Sequence, residues 1–131
     1  FNIGNSLASF ANLPKKGGYV VGAVPYFSPN HGFYNVNPNC IAELFSPFNG
    51  FQLIKLVINC YNDPIQSLQG KATKSITIHE KSDKKLSYDL LLNKIQSTKI
   101  NSLSNFNTLY YVAQKINELP IKAPVQRKYK G

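Results

Sequence analysis

The alternation of apolar and polar residues predicts one long strand near the middle of the chain. Residues 51–61 form the longest run that is both apolar and rich in β-branched or aromatic side chains. Asn49-Gly50 before the run and Asn62-Asp63-Pro64 after it are turn signals at a separation typical of a strand. A period of two places five side chains on its buried face: Gln52, Ile54, Leu56, Ile58 and Cys60.

Two further segments have the composition of strands. Residues 19–27 are apolar, and because Pro25 cannot donate to a ladder, we expect this strand to lie at a sheet edge or to end there. Residues 73–80 alternate, which predicts a half-buried strand with Ile76 and Ile78 inward and His79 on the exposed face. Together the three segments predict an antiparallel sheet.

Helical signals occur at three places. Residues 1–13 predict a short amphipathic helix, and Asn37-Pro38 predicts the capped start of a second one. The clearest helix runs from about 87 to 98, where Ser87 can cap the helix and Asp89 lies near the positive end of its dipole.

Residues 108–119 fit two interpretations. Leu109, Val112, Ala113 and Ile116 match the helical period, whereas the Leu-Tyr-Tyr-Val run favours a strand by side-chain preference. We favour the helix, because four positions match that period.

These elements predict a single α+β domain over residues 1–131, with an antiparallel sheet around the central strand and the helix 87–98 packed on one face. The tail 120–131 is basic, and we expect it to be extended and flexible unless a partner holds it. No apolar run approaches the roughly 20 residues that span a bilayer, so we predict no membrane span.

Positive charge is concentrated in the second half of the chain. Residues 66–131 hold twelve of the fifteen Lys and Arg residues but four of the six acids. This asymmetry indicates an anionic partner, such as a nucleic acid, a lipid surface or an acidic glycan, and the sequence also allows a protein partner. The alternative is a solvated lysine surface that keeps the protein soluble. The candidate contacts are Lys74, Lys84, Lys85, Arg127 and Lys128.

Residues 28–39 form the most loop-like segment, and His31, Phe33 and Tyr34 stand in it among small polar residues. Loops on a rigid scaffold often carry recognition, so this segment is the first candidate for a binding loop. The alternative is an ordinary connection whose aromatic side chains pack onto the core.

Cys40 and Cys60 are the two cysteines of the chain. In a secreted protein they would be candidates for a disulfide, which would stabilise the fold by roughly 3 kcal/mol in the chain-entropy model. A full helix after Pro38 and a full strand at 51–61 make that bridge hard to close, so two buried free thiols are the alternative.

The residues that could support catalysis are few. A small ribonuclease needs an acid, a base and a cation at the phosphate, for which His79, His31, Glu43 and a lysine are candidates. The chain has no hydrolase or metalloenzyme motif, and we predict neither a cofactor nor a metal site. The sequence therefore favours a binding protein over an enzyme.

The sequence as a whole predicts a small, basic, secreted binding protein, effector-like or toxin-like, that engages its partner through the loop 28–39 and the lysine-rich second half. Phe1 and the absence of methionine indicate a processed form or a fragment, which is the basis for expecting secretion. The alternatives are a compact secreted ribonuclease-type toxin and a nucleic-acid-binding fragment of a larger polyprotein.

Overall fold

The computed structural model describes residues 3–26, 36–81, 93 and 106–122. Four strands form one antiparallel sheet in the order β1-β4-β2-β3, and helices accompany it, which confirms the α+β class. The elements with defined bounds are α1 (Ile3–Ala11), β1 (Tyr19–Pro25), α2 (Pro38–Leu44), a 3-10 turn (Pro47–Asn49), β2 (Phe51–Tyr61), α3 (Pro64–Leu68), β3 (Lys74–Glu80) and β4 (Phe106–Lys115).

The predicted central strand is confirmed, because β2 covers residues 51–61 and pairs with β4 on one side and β3 on the other. Its predicted face is wrong in the first half. Leu53 pairs with Ala113 and Lys55 pairs with Val112, so Ile54 is an extra residue that forms a β-bulge. The bulge moves the buried face by one residue, and the core side chains of β2 are Phe51, Leu53, Leu56, Ile58 and Cys60.

The helix favoured for residues 108–119 is wrong, since Phe106–Lys115 is the strand β4. It lies between β1 and β2 and pairs with both, so its backbone groups are satisfied on each side. Leu109, Tyr111 and Ala113 alternate inward, as a strand requires. The β-preference of the Leu-Tyr-Tyr-Val run therefore outweighs the four positions that match a helical period.

The core lies between one face of the sheet and α2. The predicted helix start is confirmed, because the side-chain oxygen of Asn37 accepts the backbone N–H of Cys40 at 3.0 Å. Phe45, which follows α2, packs edge-on against Phe51 and stacks on Tyr111, with ring centroids 5.1 Å apart in both pairs. These aromatic contacts attach the helix to the centre of the sheet.

The remaining helices of the described chain lie outside the sheet and differ in how well they were predicted. The first helix is confirmed as Ile3–Ala11, and Phe10 on it is exposed. The turn signal Asn62-Asp63-Pro64 leads into the short helix α3, which is capped by Asp63, whose carboxylate accepts the N–H of Gln66 at 2.8 Å. Of the predicted helix 87–98 the structure describes only Asn93, which is helical, so its packing lies outside the described residues.

The start of the predicted tail is held by the body of the protein. Asn49, which is buried, donates its amide to the carbonyl oxygens of Leu44 at 2.9 Å and Lys122 at 3.0 Å. Its side-chain oxygen accepts the backbone N–H of Lys122, also at 3.0 Å. One asparagine therefore joins α2 to residue 122, and residues 123–131 lie outside the described part of the chain.

Candidate partner-binding surface

His79 is buried, not exposed as predicted from the alternation of its strand. The side chain is 5% exposed, and its Nε2 lies 3.1 Å from the carbonyl oxygen of Leu53, to which the ring N–H donates. A second bulge explains this placement, since Leu56 pairs with His79 while Val57 pairs with Thr77, which leaves Ile78 as an extra residue. The bulge turns His79 to the core face, where it is closed to a substrate.

Of the other candidate catalytic residues, Glu43 is in the part of the chain that the structure describes. Glu43 lies on α2 and is buried. His31 lies outside the described residues, as do Phe33 and Tyr34 of the predicted binding loop. With both described candidates inside the protein, the set proposed for a ribonuclease offers no accessible acid or base in the part of the chain that the structure describes.

Cys40 and Cys60 are free thiols in the structure, which corresponds to the second of the two alternatives for them. Both pack in the same core cluster, Cys60 fully and Cys40 in part. Burial raises the pKa of the Cys40 thiol, so less of it is thiolate at neutral pH. Their position is that of small apolar core residues.

The candidate lysines are only partly described. Lys74 is exposed at the start of β3, whereas Lys84, Lys85, Arg127 and Lys128 lie outside the described residues. Exposed lysines are nevertheless common in the described part of the chain. They are Lys15, Lys16, Lys55, Lys71, Lys74, Lys81 and Lys122.

Lys115 is the exception, with a side chain that is 4% exposed at the end of β4. Its ammonium lies 3.3 Å from a carboxylate oxygen of Glu118 and 5.9 Å from the centre of the Phe51 ring. The other oxygen of Glu118 accepts the backbone N–H of Lys16 at 3.1 Å. Glu118 thus interacts with two donors, and the bond to Lys16 attaches the segment before β1, which contains Lys15 and Lys16, to the end of β4.

The sheet face opposite the core carries an exposed apolar surface on β1 and β4. Tyr19 is 58% exposed and Val21 is 66% exposed. On β4, Val112 lies opposite Val21, Tyr110 lies opposite Ala23, and the polar Gln114 lies opposite Tyr19. Lys55 of β2 stands opposite Val112 and is also exposed. We call this surface the outer-face patch, and it consists of Tyr19, Val21, Ala23, Lys55, Tyr110 and Val112.

The outer-face patch ends at β2, where the next side chains on the same face are buried. Val57 and Tyr61 share this face but are buried, and the hydroxyl groups of Tyr61 and Tyr110 lie 3.5 Å apart. This contact, followed by partial burial, raises the pKa of the Tyr110 hydroxyl. Tyr110 is therefore neutral at physiological pH, and its ring offers an amphipathic contact at the edge of the patch.

The pattern that marks the outer-face patch was present in the sequence. Tyr19, Val21 and Ala23 alternate along a strand that Pro25 assigns to an edge, and no charged residue occurs between Gly17 and Tyr26. Sequence reasoning identified the strand but not its exposed side. The partner strand that completes the surface, β4, had been interpreted as a helix.

Comparisons with known proteins add no assignment, since no family model, no curated protein and no solved structure matches the chain. Among residues 3–26, 36–81 and 106–122, no group of three or more His, Cys, Asp or Glu side chains is arranged to hold a metal ion. No helix among them has the length and apolar character needed to cross a bilayer.

Proposed function

We propose that the protein is a non-enzymatic binding module that recognises an acidic protein partner through the outer-face patch. The observation that carries the proposal is the combination of exposed Tyr19 and Val21 with exposed Lys15 and Lys16 in the segment that leads into the same strand. Exposed apolar and aromatic side chains bordered by polar residues are typical of protein interaction surfaces. The formal net charge of +9 adds attraction for an acidic partner.

Binding is favoured over catalysis because His79 and Glu43 are buried, as described above. A protein is favoured over a nucleic acid because Val21, Ala23 and Val112 supply aliphatic contacts, whereas nucleic-acid sites rely on stacking rings and arginine forks. Secretion and an effector-like or toxin-like role remain predictions from the sequence and belong to the same proposal.

The proposal is tested by fluorescence anisotropy across a salt series, with a labelled copolymer of glutamate and tyrosine as the probe, which carries both acidic and apolar side chains, and with poly-L-glutamate as its purely acidic counterpart. A Lys15→Glu/Lys16→Glu variant is expected to lose at least about tenfold in affinity at low salt, corresponding to about 1.4 kcal/mol. A Tyr19→Ser/Val21→Ser variant is expected to lose a similar factor with little dependence on salt, since it removes apolar contact.

The matched control is Lys71→Glu/Lys74→Glu, which makes the same change in charge at the β3 side of the sheet, two strands away from β4. It is expected to retain binding within about twofold. Equal loss from both charge variants would mean that the protein attracts acids without a site, and the proposal would be wrong. Preferential binding of poly(U) RNA over poly-L-glutamate would instead support the nucleic-acid alternative.

A further inference from the structure

The β1 strand has a free edge whose backbone groups can be identified from its pairing. The N–H of Lys115 donates to Gly18 and the N–H of Tyr26 donates to Asn107, so positions 18 and 26 of this strand direct their backbone groups toward β4. In an antiparallel pair this direction alternates along the strand. Val20, Gly22 and Val24 therefore bond to β4, while the backbone groups of Tyr19, Val21 and Ala23 point away from the sheet.

These outward groups have no hydrogen-bond partner among the described residues. Farther along the same edge the carbonyl oxygen of Pro25 accepts the N–H of Val36 at 3.1 Å, and Pro25 has no N–H to offer. The open part of the edge thus runs from Tyr19 to Ala23 and presents three donors and three acceptors. The exposed side chains of the same three residues lie on the outer face, next to those groups.

The two edges of the sheet differ in how they are protected. Lys74 and Glu80 bound β3, and Lys81 follows it, so that edge carries the charges with which proteins commonly prevent strand pairing. Between Gly17 and Tyr26 the sequence of the β1 edge contains no charged residue, and among the described residues it is Pro25 that interrupts pairing at one end of this edge. An uncharged edge with exposed Tyr and Val side chains is a template for an added strand.

We propose that β1 is a strand-addition site for an extended acidic peptide segment of the partner, which pairs antiparallel with Tyr19–Ala23. This rests on the proposed binding function and adds the mode of recognition. An acidic segment is chosen by charge complementarity, since Lys15 and Lys16 flank the edge and the chain carries +9. Each copy of the chain has a formal net charge of +9, so electrostatic repulsion opposes the pairing of two copies at this edge.

Antiparallel pairing predicts which peptide groups matter. Residues of the peptide that stand opposite Tyr19, Val21 and Ala23 place their side chains on the outer face and direct their own N–H groups at β1. We therefore expect apolar residues at alternate positions of the partner segment, which extend the outer-face patch. The acidic residues between them direct their N–H groups to solvent.

The probe is a capped ten-residue peptide of alternating Glu and Val, used with the 131-residue protein labelled with ¹⁵N. Before addition, the amides of Tyr19, Val21 and Ala23 are expected to exchange with solvent much faster than those of Val20 and Gly22. Peptide binding is expected to slow exchange at the three outward amides by at least about tenfold.

Two methylated peptides locate the hydrogen bonds. Methylation of the valine backbone nitrogens is expected to abolish binding. Methylation of the glutamate backbone nitrogens is expected to change the dissociation constant by less than about threefold relative to the unmethylated peptide. On the protein, Val21→Pro removes one outward N–H while leaving the ladder to β4, and Val21→Ala is its control with the N–H retained. We expect at least tenfold loss for Val21→Pro beyond that of Val21→Ala.

The outcomes separate the two proposals. If the unmodified peptide binds, but neither methylated peptide differs from it and the three amides gain no protection, strand addition is wrong while acidic binding stands. If no acidic probe binds even at low salt, the proposed function itself fails. Protection of the same amides in the free protein, with a doubling of mass as concentration rises, would assign the edge to a second copy instead. The peptide comparison on unaltered protein decides the question even if Val21→Pro does not fold.

Discussion

The hydrogen bonds of Asn49 allow a quantitative prediction about the stability of the fold. Its buried side chain donates to Leu44 and Lys122 and accepts from Lys122, at 2.9 to 3.0 Å. Each such bond contributes roughly 0.5–1.5 kcal/mol net, so Asn49→Ala is expected to lower the free energy of unfolding by about 3 kcal/mol. For a domain of this size that loss corresponds to a fall of about 10 °C in Tm.

Urea unfolding followed by circular dichroism gives the change in free energy directly. Lys122→Ala is the matched control, because the contact uses only the backbone of Lys122, and its cost should stay below about 0.5 kcal/mol. Lys122→Pro, which removes the N–H that Asn49 accepts, should cost about 1 kcal/mol or more.

A double-mutant cycle isolates the link between the two positions. In the presence of Asn49→Ala, the proline at position 122 should add little further loss, since the bond it removes is already absent. A cost below about 1 kcal/mol for Asn49→Ala, or full additivity with Lys122→Pro, would refute the assignment of the tail contact to this side chain.

Three further outcomes are expected. Gly22→Ala should destabilise the protein by about 1–3 kcal/mol in urea unfolding, because a Cβ there would overlap the ring of Tyr111, whereas Ala23→Gly on the exposed face should cost less than about 1 kcal/mol. When the unfolded, unreduced chain is alkylated, mass spectrometry should find both Cys40 and Cys60 modified, whereas in the folded protein both should react slowly. If neither is modified in the unfolded chain, the two are joined by a disulfide. Burial, followed by the charge of the Cys40 thiolate, raises the pKa of Tyr111, so the folded state holds this proton more tightly than the unfolded chain does. The contribution of Tyr111 to the free energy of unfolding should be fully present below pH about 10 and should fall as the pH rises above that value. The fall should be less steep in Tyr111→Phe, and an unchanged slope in that variant would contradict the assignment.

Local signals predicted the elements that depend on a few neighbouring residues. The capped start at Asn37-Pro38 and the strand between two turn signals at 51–61 are both as predicted, because caps and turns act within the segment itself. β4 was missed because its apolar positions satisfy two periods at once. The choice between helix and strand depends on the pairing of this segment with both β1 and β2, which is a property of the whole sheet and not of the segment.

The exposed side of each strand was harder to predict than the strand. Ile54 and Ile78 are each one extra residue in a ladder, and nothing in their identity distinguishes them from regular strand residues. Each bulge reverses the side on which the following residues lie, which is why His79 was expected outside and is found inside. The burial of His79 removes it as a surface candidate, and the site that we propose from the structure is an uncharged sheet edge. His31, Phe33 and Tyr34 of the predicted binding loop lie outside the described residues and stay predictions.

The order of the strands has a consequence for synthesis. β4 is the last of the four described strands in chain order but lies inside the sheet, where it is the shared neighbour of β1 and β2. While the ribosome makes residues 1–105, β1 has no neighbour and β2 can pair only with β3. The nascent chain must therefore keep these apolar segments from pairing with other molecules until residue 115 has emerged, so slow translation between β3 and β4 should increase aggregation.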